Sequence, residues 1–551
     1  MTPPAGCDPT PEWRVIVGPP GTGKTSRLLD LLAETLAGGV PPSAIAFFTF
    51  TRAARDEARE RVRTRFGLGS DDLVHFRTIH AEAYRLLGLH PGQVMTHEAW
   101  KEFGDRYGYT FSRLAAGGEP EIAELPRTTS DDLLRFAYSW GMNRRLDPSR
   151  TLRLCPVDVS PKHFPVFLER LARFKADGDR VDFPDMLVTV LERSLRPAVR
   201  VAFVDEGQDL SPLQIAEIES WLSPCERVFV AGDDDQAIYR FQGAEPDWLL
   251  GLTKTHSAEV LVQSHRLPAT VFRLAQEIIG QNRTRIDKRY EPTTRRGVVE
   301  WVEQGRLVQV LDPAADTLLL ARNREFLEPI ARRLFEGRIP YLVEGAGGIS
   351  PLSDPNVVHA IQTSVAIFCG QPVDARGLEA LLKFIPSRGC DLLPHGVKQR
   401  VKELTTTISV DTMRGNLGLG RLLDRIRSKG PVDPLIKLPA SERAYLQELV
   451  ARYGTVPIPK IRLTTIHGAK GREADTVAVI PDLSRASYEE YTDYSRGGFE
   501  AENRVAYVAV TRAKRRLILV RPRTRRFYDY PVLPPGPEAD PPGDAIRSGV
   551  G

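Results

Sequence analysis

The chain has 551 residues, of which 42% are hydrophobic and 26% charged, with five cysteines and a formal net charge of +4. That length accommodates about three to four domains, and the lack of any apolar run of about 18 residues excludes a membrane-spanning helix. The mild basicity is too small for a dedicated nucleic-acid-coating protein, and the cysteines, scattered at 7, 155, 225, 369 and 390 with no C-x-x-C pair, argue against a disulfide framework or a thiolate metal site.

The stretch from Met1 to Trp13 is proline-rich and lacks the layout of a signal peptide, so a cytoplasmic location is expected. The first predicted strand is Val15 to Val17. It runs into Gly18-Pro19-Pro20-Gly21-Thr22-Gly23-Lys24-Thr25-Ser26 and then an amphipathic helix with Leu28, Leu29, Leu31, Leu32 and Leu36. This is the phosphate-loop pattern G-x-x-x-x-G-K-[ST] in its strand–loop–helix setting. Glycines let successive N–H groups face a phosphate at the helix start, Lys24 reaches the β- and γ-phosphates, and the Thr25 hydroxyl is a Mg²⁺ ligand. A nucleoside triphosphate is therefore expected as ligand.

A second strand, Ala46 to Thr49, precedes a helix in which Arg52, Arg55, Arg59, Arg61, Arg63 and Arg65 flank the apolar seam Ala54, Ala58, Val62. Asp56, Glu57 and Glu60 balance that charge, so the helix reads equally as a solvated face or a nucleic-acid face. Residues 86–198 read as a mainly helical insertion. The first α/β block resumes with Val201 to Val204, which ends in Asp205-Glu206-Gly207-Gln208-Asp209. An aspartate after such a strand completes a Mg²⁺ shell beside a phosphate loop, and Glu206 is placed to activate the attacking water.

The strand Val228 to Ala231 leads into Gly232-Asp233-Asp234-Asp235-Gln236-Ala237-Ile238-Tyr239-Arg240-Phe241-Gln242-Gly243. Gln236 suits sensing of a γ-phosphate or its water, and Tyr239 and Phe241 offer flat faces for unpaired bases. A second α/β block is predicted over 259–345 and 460–529, with strands at Glu259 to Val262, Thr317 to Ala321, Ile461 to Thr464, Thr476 to Ile480 and Arg516 to Val520. A helical insertion spans 346–459, and the proline-rich end from about 530 reads as a disordered tail. Alternation of strands with helices in both blocks makes the fold α/β, with parallel sheets.

The order of these motifs resembles the UvrD/Rep-type superfamily 1 helicases from about residue 13 to 520. Thr49-Phe50-Thr51-Arg52-Ala53-Ala54 and Thr78-Ile79-His80 are similar to that family's first two single-strand contacts, and Asp182-Phe183-Pro184-Asp185-Met186-Leu187 to its acidic–aromatic signature. Gln263-Ser264-His265-Arg266, the stretch from Thr464 through His467 to Glu473, and the stretch from Glu502 to Ala513 resemble its second-lobe motifs. The resemblance implies two RecA-like parallel-sheet lobes, residues 1–85 with 199–258 and residues 259–345 with 460–529. It also implies Arg266 and Arg512 as arginine fingers, Glu473 at the nucleotide, and Thr49, Thr78, Phe241, His467 and Glu473 along a strand that crosses both lobes. An ATP- and Mg²⁺-dependent helicase or translocase is expected, moving 3′ to 5′ on single-stranded DNA and at single-strand/duplex junctions, as a monomer or weak dimer.

Several positions depart from the family pattern. No glutamine precedes the loop to read adenine, Ser26 replaces an arginine and His265 a tyrosine, so loose nucleobase selectivity is expected. Phe241 stands for tryptophan or tyrosine, and Gln242 for arginine. Ser387-Arg388-Gly389-Cys390 matches the family's duplex-contacting motif only in part, so weak or partner-dependent unwinding is expected. A different class stays open: a DNA-dependent ATPase switch that acts as regulatory subunit of a nuclease, repair or defence complex.

Overall fold

The computed structural model describes residues 11–112, 129–244, 246–345, 350–387, 389–495 and 497–531. The tail expected from about 530 lies outside them beyond residue 531, as do Met1 to Thr10 and Arg388. Strands β1 (Glu12–Val17), β2 (Ile45–Thr49), β3 (Phe76–Thr78), β4 (Val201–Val204), β5 (Arg227–Gly232) and β6 (Ser257–Val260) form one sheet in the order β3-β2-β4-β5-β1-β6. Every pairing is parallel. The central strands β2 (Ile-Ala-Phe-Phe-Thr) and β4 (Val-Ala-Phe-Val) are buried along their whole length, as strands covered by helices on both faces must be.

A short parallel pair, β7 (Gln263–Pro268) with β8 (Glu291–Thr293), leads to a second sheet. It comprises β9 (Val298–Val302), β10 (Thr317–Ala321), β11 (Tyr341–Val343), β12 (Ile461–Thr465), β13 (Ala474–Ile480) and β14 (Ala513–Val520). Their order is β11-β12-β10-β13-β14-β9, again all parallel. The two sheets with their helices are two RecA-like lobes. The strand expected at Glu259 to Val262 in the second lobe is a correction: it is β6, whose Val260 lies opposite Val17 of β1 in the first sheet. The crossing between lobes falls after it, where Leu261 N–H still donates to Val17 and the Val262 carbonyl already accepts from Glu291 N–H of β8.

Helices between β3 and β4, among them His97–Tyr107, Ser130–Asn143 and His163–Asp177, build a separate aromatic core around Trp100, Phe103, Phe164, Phe167 and Phe174. Those between β11 and β12, including Pro355–Phe368, Ala375–Lys383 and Ala440–Tyr453, share one core with a face of the second sheet. The largest apolar cluster runs from Val15, Phe48 and Val204 of the first lobe to Ile466, Val479 and Val508 of the second, so the lobes meet over packed side chains. The four described cysteines are free thiols, and among the described residues no helix is long and apolar enough to cross a membrane.

One core residue has a pH signature. Glu217, on the helix Pro212–Leu222, is fully buried, and burial pushes its carboxyl up from 4.5 to about 8. The folded chain therefore holds a proton that the unfolded chain gives up above its ordinary value, so this group lowers native stability as pH rises from about 4.5 to about 8. Glu217→Gln cannot titrate. Its unfolding free energy is expected to drop less than that of the wild type between pH 5 and 8, by on the order of 3 kcal/mol, as read from urea melts at the two pH values; parallel pH dependence in both proteins contradicts this assignment.

Candidate functional site

The phosphate loop turns between β1 and the helix Lys24–Ala37. Gly21 and Gly23 have φ of 74° and 84°, left-handed values that side chains disfavour. Gly21 has a second reason to be glycine, since a Cβ there would lie 2.4 Å from Arg266 Cβ of β7. The second lobe thus rests directly on the loop: the Ser264 hydroxyl donates to the Pro20 carbonyl and His265 N–H to that of Gly21, both at 2.8 Å. Within the loop Thr22 Oγ1 donates to Pro19 (2.8 Å) and Lys24 Nζ to Gly18 (2.9 Å). Ser26 is exposed on the first helical turn. Arg27, one place on, is turned away to Glu259 of β6 at 2.9 Å.

The carboxylates after β4 face this loop. Thr25 Oγ1 donates to Asp205 Oδ2 at 3.0 Å, joining the two residues expected to hold a metal. Burial and the neighbouring Glu206 push Asp205 up to about 6, against the pull of Lys24. Glu206 adopts φ 57°, an uncommon conformation for a side-chain-bearing residue. It accepts from Gln208 Nε2 at 2.5 Å. Burial opposes its charge, but Lys24 and Lys470, with the Gln208 bond, hold it below its ordinary value, so it is ionised at neutral pH.

The loop after β5 reaches the other lobe. Gln236 Nε2 donates to Asp233 Oδ2 at 2.7 Å, while Gln236 Oε1 accepts from Arg512 Nη2 at 2.8 Å. Arg512, 1% exposed, otherwise donates to the carbonyls of Val508 (3.0 Å) and Arg472 (3.4 Å) and to the Thr511 hydroxyl, and makes no ion pair among the described residues. Burial and the like charge of Arg266 push its guanidinium down to about 9. Arg266 and Glu473, expected at the nucleotide, pair with each other at 2.5 Å, with Lys514 3.5 Å from the other Glu473 oxygen.

Lys470, which lies in the stretch from Thr464 to Glu473 and was given no role of its own, bonds the Asp209 carboxylate and, at 2.7 Å, the Gln236 carbonyl of the opposite lobe. Its position between His467 and Glu473 was the available signal. Lys288 and Arg285, which clamp Asp233, Asp234 and Asp235, carried none. Those three carboxylates lie close enough together to hold a cation, and the cation among them is the Lys288 ammonium.

The residues expected on a DNA strand divide into caps and covered rings. Thr51 Oγ1 accepts from Ala54 N–H and Thr78 Oγ1 from Ala81 N–H, so each caps a helix, Arg52–Phe66 and Ile79–Leu86. Thr49 Oγ1 donates to the Thr51 carbonyl, and Arg52 is exposed beside it. On the same helix Arg55, Arg61 and Arg65 pair with Asp56, Glu57 and Asp30, which balances much of its charge. The His80 ring meets Phe183 edge-on at 5.4 Å.

Tyr239 and Phe241, read from sequence as offered faces, are 2% and 8% exposed. Tyr239 packs on Phe50 (5.1 Å) and Phe241 edge-on against His467 of the second lobe (5.0 Å). Burial holds His467 neutral, its titration pushed well below the ordinary value, so its Nε2–H donates to the Ile238 carbonyl at 3.2 Å. These rings form the seam between lobes.

Residues 8–257 match the UvrD/REP helicase N-terminal domain and residues 441–523 the UvrD-like helicase C-terminal domain, together more than half of the chain. Similar proteins include the ATP-dependent DNA helicase UvrD2 of Mycobacterium tuberculosis, 24% identical, with 91% of this chain and 75% of that protein covered. The putative ATP-dependent DNA helicase YjcD of Bacillus subtilis is 24% identical over 93% of this chain and 78% of its own length. DNA helicase II of Haemophilus influenzae is 22% identical over 92% and 82%.

Proposed function

The chain belongs to the UvrD/Rep helicase family, and from that premise we propose that it is an ATP-dependent motor on single-stranded DNA, moving 3′ to 5′, with ATP hydrolysed in the seam between the lobes. One observation carries the reading: Arg512, a buried guanidinium with no carboxylate partner among the described residues, crosses from the second lobe to Gln236 in the first. Residues 12–78 with 201–260 form the lobe that binds the nucleotide, and residues 263–343 with 461–530 the lobe that brings the arginines, each carrying a helical insertion.

In this reading Lys24 and the loop amides bind the phosphates, with Glu473 and Ser26 near the nucleoside. Glu206, ionised, orients the attacking water and takes its proton. Arg512, with Arg266 beside it, covers charge that develops on the phosphoryl oxygens. Thr25 and Asp205 fit Mg²⁺, being hard oxygen donors joined by a hydrogen bond, with a carboxylate whose burial favours a nearby cation. A bound Mg²⁺ supplies Lewis-acid neutralisation of the phosphate charge. Because the triphosphate touches both lobes, it favours the closed form, and its hydrolysis removes that preference.

The helix N-termini at Thr51 and Thr78, with Thr49, Arg52 and His80, contact backbone phosphates, while Phe50, Tyr239, Phe241 and His467 serve the bases. Phe241→Ala is expected to weaken single-strand binding by about 1 to 3 kcal/mol in fluorescence anisotropy titrations; unchanged affinity would leave the ring a role only in joining the lobes. The decisive experiment compares ATP hydrolysis with single-stranded DNA, duplex DNA and RNA, alongside strand displacement. Strongest stimulation by single-stranded DNA together with displacement is the expected result. Stimulation without displacement or translocation would instead mark a DNA-gated switch serving a partner such as a nuclease.

A further inference from the structure

The loop after β5 carries three consecutive aspartates, Asp233, Asp234 and Asp235, all fully buried. Adjacent carboxylates in an interior repel one another, and each costs several kcal/mol to desolvate. What balances them comes from the other lobe. Lys288, between the helix Ala269–Ile279 and β8, is buried with its Nζ 2.6 Å from Asp233, 2.5 Å from Asp234 and 2.7 Å from Asp235. Arg285 forks onto Asp235 (3.0 and 2.6 Å) and Ile286 N–H donates to Asp234 (2.9 Å). Arg504 Nε holds the backbone carbonyl of Asp234 at 3.1 Å.

The bonds do not stop at the cluster. Asp233 takes Lys288 on Oδ1 and the Gln236 amide on Oδ2, and Gln236 passes its Oε1 to Arg512. The relay Lys288–Asp233–Gln236–Arg512 starts and ends in the second lobe and passes through the first. Its chemistry also fixes direction. An amide can present either its oxygen or its NH₂ to a neighbour, and an ionised Asp233 accepts only from the NH₂, which leaves the oxygen for the guanidinium.

We propose that Lys288 is a positioning residue for ATP hydrolysis: by holding the Asp233 carboxylate it sets the orientation of Gln236, and through it Arg512, so the hydrolytic site is assembled only where the second lobe is docked. This rests on the ATPase reading above. Lys288→Met is expected to lower the DNA-stimulated kcat of the full-length chain by about ten- to a hundredfold while the KM for ATP changes less than about threefold, the pattern of a group that acts in the transition state rather than in binding.

Because the effect passes through Gln236, Lys288→Met added to Gln236→Ala should cost nothing further, within about threefold. A lysine that merely stabilises the fold would not show that coupling. Lys288→Met/Asp234→Asn removes one charge of each sign and serves as the folded variant if the single one fails to accumulate; it should keep a melting temperature near that of the wild type and still turn over slowly. Wild-type kcat in either variant, or an additive loss in the Gln236→Ala background, overturns the role of Lys288. A wild-type chain that hydrolyses no ATP with any nucleic acid overturns the ATPase reading, and this inference with it.

Discussion

Arg512→Ala is expected to slow ATP turnover by about 10³- to 10⁵-fold, measured as single-turnover hydrolysis with saturating single-stranded DNA, while DNA affinity stays within a few-fold. The size of the effect follows from the state of the side chain. Most buried cations are neutralised by a carboxylate; among the described residues this one is held by carbonyls, a hydroxyl and the Gln236 oxygen, which take four of its five N–H groups without cancelling its charge. With its titration at about 9 it remains charged at neutral pH. A planar guanidinium preorganised at a low-dielectric seam is matched to oxygens that gain charge in phosphoryl transfer. If the variant turns over normally, or loses only DNA binding, Arg512 is part of the strand path and not of the chemistry.

Glu206→Gln should reduce turnover by about 10²- to 10⁴-fold and leave ATP binding intact, so that nucleotide accumulates on the protein in a filter-binding assay at one equivalent. Glu206 has the two properties a base needs. It is ionised because Lys24 and Lys470 offset its burial, and it is oriented by Gln208 within a left-handed turn just past β4. Glutamine keeps the shape and the Gln208 bond while losing the ability to take a proton. Hydrolysis within tenfold of the wild type would remove Glu206 from the role of base and shift attention to Asp209, which burial pushes up to about 7 beside Lys470.

The central strands were legible because each is an apolar run bounded by polar turns: β1, β2, β4 and β5 in one sheet, and β10, β12, β13 and β14 in the other. Of the strands that sequence reading missed or misplaced, β3, β6, β9 and β11 are the edges of the two six-stranded sheets, and β7 and β8 make up the short two-stranded pair. An edge strand has one open side, so short segments such as Ser257-Ala-Glu-Val, exposed or half-exposed throughout, carry no alternation to read. The same division holds in the site. Lys24, Thr25, Asp205 and Glu206 were readable because motif and adjoining strand lie together in the chain. Lys288 and Arg285 lie some fifty residues beyond their partners and meet them only through lobe packing, which leaves no local pattern. The rings of Tyr239 and Phe241 show the converse: their residue type suggested exposed stacking faces, and the arrival of His467 from the other lobe covers them.

The described chain passes from the first lobe to the second only once, at the bond between Leu261 and Val262, one still paired to β1 and the other already paired to β8. A single covalent connection turns freely only about its φ and ψ angles, so force between the lobes travels through the contacts where they meet, among them the Ser264 and His265 bonds to the phosphate loop. The same geometry gives the connection the part of a tether. A chain cut after Leu261 would present two complementary halves whose meeting depends on concentration, whereas the intact link keeps them at a high local concentration and turns closure into a fast intramolecular event.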